Sequence, residues 1–182
     1  MSSNRVVEEY RELMGNPITN CGITIGLVNN DSFKDWKVTM IGPKDTPYRD
    51  GLFYLNVHFP DNYPNEPPEV CFITPIYHLN VNPNAPKNNE DEFHKLGNVC
   101  ISTLNWWNPE YKIREVLLNI YLLFYCQNPD SCYGIDRSME YKHGYNIFSD
   151  KAKFFTKKYA NIKCVYIINM IGQKIGIFVI KK

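Results

Sequence analysis

The chain has 182 residues, of which 44 % are hydrophobic, 14 % aromatic and 21 % charged. These proportions fit one globular domain with a sizeable core and exclude wholesale disorder. The net charge of +1 gives no reason to expect nucleic acid as the main partner. The charge is unevenly placed: residues 161–182 hold four lysines and no acid, whereas residues 1–160 carry sixteen basic and nineteen acidic side chains. The six cysteines (Cys21, Cys71, Cys100, Cys126, Cys132 and Cys164) include no Cys-x-x-Cys pair, so no structural zinc site is expected. No signal-peptide pattern opens the sequence, and free thiols in a reducing compartment are expected.

In chain order, Val6, Val7, Tyr10, Leu13 and Met14 fall at helical spacing and predict a helix over 3–14, ended by Gly15 and Pro17. Apolar alternation then predicts four strands: Ile23–Leu27, Trp36–Met40, Phe53–Phe59 and Glu69–Ile73. Short polar turns between them suggest an antiparallel meander. The proline-rich stretch 60–68 cannot continue a central strand and must be an ordered loop. From Pro75 to Pro109 no long periodic element is visible, and a gap of that length is usually functional. It contains His78, Asn80, His94 and Cys100. Ile113, Val116, Leu117, Ile120, Leu123 and Phe124 then mark a helix stopped at Gln127–Asp130. A short helix is expected near 136–143, and Phe148, Ala152, Phe155 and Tyr159 mark a last amphipathic one. The fold class is therefore α+β: an N-terminal helix, a four-stranded antiparallel meander and C-terminal helices.

Several blocks in this order resemble the ubiquitin-conjugating enzymes over about residues 3–160. They are Trp36 with Ile41–Gly42–Pro43–Lys44–Asp45–Thr46–Pro47–Tyr48, Phe59–Pro60–Asp61–Asn62–Tyr63–Pro64 with Pro67–Pro68, and Ile76–Tyr77–His78–Leu79–Asn80. Gly97–Asn98–Val99–Cys100–Ile101–Ser102–Thr103–Leu104, Trp107–Asn108–Pro109 and Asn128–Pro129–Asp130 continue the series, and Lys158–Tyr159–Ala160 closes it. The resemblance implies a UBC-like fold, with 1–160 as catalytic core and 161–182 as a hydrophobic extension.

It also implies roles. Cys100 would be the nucleophile, since a thiol is a good nucleophile and leaving group near neutral pH and a thioester stores an activated acyl group. A free cysteine is otherwise among the most buried of residues, and five others compete. Asn80 would donate to the oxyanion or hold the active-site loop; read alone, it is a turn asparagine in an Asn-rich stretch. His78 would fix that loop rather than carry protons. A metal held by His78, His94 and Cys100 matches no ligand spacing, and none is expected. Ser131 would gate access to the cysteine, with Asp130 in that role if the alignment slips by one. Partner contacts would fall on Arg5, on Tyr63–Pro64–Asn65, on Trp107–Asn108–Pro109 and on Leu118.

The chain also departs from the family. Leu79 stands where a proline is usual, so the loop loses a fixed φ and gains a backbone donor. Nineteen residues separate Asn80 from Cys100, about twice the usual number, and 83–94 reads as an acidic insertion. It is either a lid for a basic partner or a solvated loop. The first helix carries Arg5 and Arg11 against Glu8, Glu9 and Glu12, less basic than usual for meeting an activating enzyme.

Segment 164–180 is strongly apolar. As a helix it would span about 26 Å, short of a ~30 Å hydrocarbon core, and Lys174 near its centre would cost about 2.5–3.5 kcal/mol. A membrane-tethering tail and a strand or hairpin both remain open.

The expected function is transfer of ubiquitin, taken as a Cys100 thioester from an activating enzyme, to a substrate lysine, usually with a RING- or HECT-type ligase. The alternatives are a conjugating enzyme for another ubiquitin-like modifier and a non-catalytic UBC-fold scaffold. No cofactor is expected, because ATP is used upstream. The expected location is cytoplasmic or nuclear.

Overall fold

The computed structural model describes residues 4–83, 97–130 and 132–161, and the backbone of two strands beyond them. Helix α1 (Asn4–Gly15) turns Val6, Glu9 and Leu13 inward. A 3-10 turn (Thr19–Cys21) and Gly22, at φ 56°, reverse the chain into the sheet. Strands β1 (Ile23–Asn29), β2 (Ser32–Ile41), β3 (Leu52–His58) and β4 (Glu69–Phe72) pair antiparallel in the order β1-β2-β3-β4. The register sets Ile23 opposite Met40, Val38 opposite Leu55, and Val57 opposite Val70. Apolar side chains at alternate positions therefore share one face, and Trp36, Val38, Met40, Phe53, Leu55 and Val57 are all buried on it.

Helices close that face. Helix α2 (Ser102–Asn105) is one turn long, and α3 (Ile113–Leu122) buries Ile113, Val116, Leu117 and Ile120. Helix α4 (Ile135–His143) leads into α5 (Tyr145–Tyr159), which buries Phe148 and Ala152. Aromatic rings join the layers: Tyr10 of α1 meets Trp36 edge-on at 5.3 Å between centroids, and Phe124 lies 5.1 Å from Phe53 and 5.2 Å from Tyr48.

Fold class and element order match the sequence expectation. The differences lie at ends. Helix α5 begins three residues before Phe148, because Tyr145, Asn146 and Ile147 are exposed and leave no apolar period to read. Helix α3 stops at Leu122, and turns carry the chain on through Cys126. Helix α2 escapes periodicity altogether, being four residues with none buried.

After α5, backbone pairing of Leu52 N–H with Ala160 O at 2.8 Å and a bridge between Gly51 and Asn161 hold the chain against the start of β3. Strands β5 (Lys163–Ile168) and β6 (Lys174–Val179) then form a separate antiparallel pair, with Cys164 opposite Phe178 and Ile167 opposite Ile175. The described part of the apolar tail is thus an antiparallel strand pair. Among the described residues no helix is long and apolar enough to cross a membrane.

Candidate active site

Cys100 is placed by a short backbone ladder. Chain 97–100 runs between β4 and residues 80–82. Phe72 N–H donates to Gly97 O (2.9 Å) and Val99 N–H to Val70 O (3.2 Å) on one side. Cys100 N–H donates to Asn80 O (2.8 Å) and Asn82 N–H to Asn98 O (3.0 Å) on the other. Such close approach requires glycine at 97. Its φ is 72°, and a Cβ there would lie 2.1 Å from Phe72 O.

Cys100 itself is half-buried. Asn105, on α2, donates from Nδ2 to the Cys100 sulfur at 3.4 Å. Asn119 Nδ2 donates to Thr103 Oγ1 at 2.7 Å and fastens α2 to α3. Burial, with the nearby Cys100, raises the Tyr133 phenol above the ordinary range.

The segment Tyr77–Asn80 is buried, so its polar groups need internal partners. His78 Nδ1 accepts Asn80 N–H at 3.0 Å, which leaves the ring proton on Nε2 to donate to Leu123 O at 3.0 Å. Complete burial pushes His78 down to about 4. The ring is therefore neutral near pH 7. Arg137 of α4, stacked 4.6 Å from the Tyr77 ring, donates to His78 O at 3.1 Å. Leu79 N–H donates to Gln127 Oε1 (2.9 Å), and Leu79 O accepts from Tyr133 N–H (2.8 Å). Asn80 has no exposure. Its Nδ2 donates to Asn128 O at 2.9 Å, and its Oδ1 accepts Asn128 N–H at 2.9 Å. Of the two roles expected for Asn80, this two-point grip supports holding the loop.

The other candidates are distributed as follows. Asp130 is exposed, its N–H donating to Asn128 Oδ1 and its carboxylate accepting Lys142 Nζ at 3.1 Å. Ser131 and His94 lie outside the described residues, as does the insertion from residue 84 onward. Tyr63 is buried, and its hydroxyl donates to Glu9 at 2.9 Å. It supports the 63–65 loop from beneath, while half-buried Pro64 and exposed Asn65 form the accessible part. Trp107 is half-buried and donates from Nε1 to Pro64 O at 2.7 Å, joining the two expected partner loops. Asn108 and Pro109 are exposed, and Leu118 is half-buried beside fully buried Leu117. Arg5 is engaged by Glu9 and reaches Tyr111 O at 3.4 Å.

Sequence reasoning missed Glu9, Asn105, Gln127 and Arg137. Gln127 registered only as a helix stop, Glu9 and Arg137 as ordinary polar residues of helices, and Asn105 as part of the stretch 75–109 without a visible element.

Helix, meander and flanking helices, with a thiol at the rim beside a buried loop, make up the UBC fold. The ubiquitin-conjugating enzyme family model matches residues 5–156, and the chain belongs to that family.

Proposed function

We propose that this protein is a ubiquitin-conjugating enzyme with Cys100 as the acyl carrier. The observation that carries the reading is the half-buried Cys100 sulfur, held against the Asn80 loop and touched by the Asn105 amide. The Cys100 thiolate attacks the thioester carbonyl of the charged activating enzyme, and that enzyme's thiol leaves. A substrate lysine, as the free amine, then attacks the new thioester. The Cys100 thiolate leaves, an isopeptide bond forms, and the amine proton passes to solvent or a nearby acceptor. Asn105 polarises the sulfur. Asn80 and His78 hold the loop, and the role of gate to the lysine is assigned to Ser131, or to Asp130 in its place. The chain needs no cofactor of its own.

The core is assigned to 1–160 and the extension to 161–182. Pro64, Asn65, Trp107, Asn108 and Pro109 form the ligase-facing surface, for a RING- or HECT-type partner. Leu118 faces the carried modifier. Location is assigned to the cytoplasm or nucleus, with the apolar segment 164–180 as the element to test for membrane tethering. A second reading, another ubiquitin-like modifier, draws support from Arg5: Glu9 and Tyr111 O already engage one of the two arginines of α1.

The test is charging with activating enzyme, modifier and ATP, resolved on non-reducing gels with Cys100→Ala as control. A thiol-sensitive ubiquitin adduct lost in Cys100→Ala is the expected result. An adduct formed only with another modifier and its activating enzyme would establish the second reading. No adduct with any modifier would overturn the enzymatic reading in favour of a scaffold.

A further inference from the structure

Leu79 N–H is buried, as is the whole residue. Every residue type except proline brings this donor, and a buried donor must be paired. Its partner, Gln127 Oε1, lies 48 residues on at 2.9 Å. The other end of the same amide donates from Nε2 to Tyr48 Oη at 2.9 Å, and Tyr48 Oη donates to Tyr77 O at 2.8 Å. Tyr48 has no exposure and Gln127 only 9 %. The chain of bonds therefore leaves the loop at Tyr77 O, passes through two buried side chains and returns to the loop at Leu79 N–H. It spans His78. The next residue is Asn80, whose carbonyl receives Cys100 N–H and whose amide grips Asn128, adjacent to Gln127. One side chain thus ties the loop to the segment 127–128 at the point where both meet the nucleophile's backbone.

We propose that Gln127 is a positioning residue for transfer from Cys100: through Leu79 N–H and Tyr48 it clamps the 77–80 loop and so sets the Asn80–Cys100 geometry. This rests on Cys100 being the acyl carrier. Gln127 touches no reacting atom. Its effect runs through the loop, where displacement of about 1 Å can change a rate by about 100-fold. The pairing is also specific. Leu79 N–H needs the Gln127 acceptor, and proline at 79 would make that acceptor redundant.

The test is a double-variant cycle of Gln127→Met, which keeps length and burial, with Leu79→Pro, which deletes the donor. Each protein is charged, the activating enzyme is quenched, and single-turnover discharge to free lysine is timed. Hydrogen exchange at the Asn80 and Cys100 amides and the alkylation rate of Cys100 are followed without any modifier.

Gln127→Met is expected to slow discharge about 10- to 100-fold with charging much less affected, and to speed exchange at both amides. The double variant is expected to discharge faster than either single, because Gln127→Met alone strands the Leu79 donor, Leu79→Pro alone strands the buried Gln127 acceptor, and together they strand neither. Equal discharge in Gln127→Met and the unaltered chain would overturn the proposal, as would losses that simply multiply in the double variant. If Gln127→Met fails to fold, Tyr48→Phe opens the clamp at its far end. It is expected to slow discharge and release the same amides, and unchanged values in both would overturn the proposal. If the unaltered chain accepts no modifier, the reading of function fails, and the clamp is judged separately on amide exchange and alkylation of Cys100 across the same cycle.

Discussion

Replacing Glu9 by alanine is expected to be among the most damaging single changes outside the thiol site. Glu9 is 3 % exposed and serves three donors. Oε1 receives Arg5 Nε and, at 2.9 Å, the Tyr63 hydroxyl, while Oε2 receives Ile113 N–H at 2.7 Å. Arg5 is 31 % exposed at its side chain and can turn to water. The Tyr63 hydroxyl and Ile113 N–H are buried and would be orphaned, at about 1–3 kcal/mol each. Lost packing of the side chain adds about 1 kcal/mol, so the total is roughly 3–7 kcal/mol, a large part of a typical domain's ~5–15 kcal/mol. Urea denaturation should show a lower midpoint with an unchanged slope. Tyr63→Phe alone should cost about 1 kcal/mol. The double variant should cost about 1 kcal/mol less than the sum, because phenylalanine leaves no hydroxyl to orphan. A loss below about 1 kcal/mol for Glu9→Ala, or strict additivity in the cycle, would refute the hub.

Burial holds His78 at about 4 in the fold, below its ordinary 6.5. The unfolded chain therefore takes up the proton first as pH falls. The stabilising contribution is complete above pH 6.5 and is lost between 6.5 and about 4, to roughly 3 kcal/mol; His78→Gln should flatten that part of a stability–pH curve. Asn105→Ala should change the iodoacetamide alkylation rate of Cys100 by about threefold or more, because the amide held 3.4 Å from the sulfur is lost. Melting temperature should be unaffected, since Asn105 is exposed, and an unchanged alkylation rate would remove Asn105 from the site. Gly97→Ala combines a φ of 72° with a Cβ 2.1 Å from Phe72 O. It should destabilise by about 3 kcal/mol or more in urea titration and expose Cys100 to faster alkylation.

The sequence by itself determined the architecture. Strands β2 and β3 were legible because one sheet face is buried, so Trp36, Val38, Met40, Phe53, Leu55 and Val57 had to alternate with polar neighbours. Helix α3 was legible for the same reason at a period of 3.6. Cys100 stood out through its flanking motif, and Asn80 through the neighbouring His78. The burial of Leu117 and the part-exposure of Leu118 also followed from the stripe.

Only the tertiary structure decided where the polar side chains work. Hydrogen bonds between groups 48, 79 or 104 residues apart leave no periodic trace, because each needs a single side chain at a single point. Glu9 reads in sequence as one of three acids on an amphipathic helix. Packing alone sets it under Tyr63 and at the first turn of α3. Gln127 reads as the end of a helix, and becomes the partner of Leu79 only once α3 and the 77–80 loop are stacked. Burying an apolar face is a collective requirement repeated along a whole element, and composition records it. Satisfying one buried donor is a local requirement that any suitably placed acceptor can meet, so it is settled by the fold.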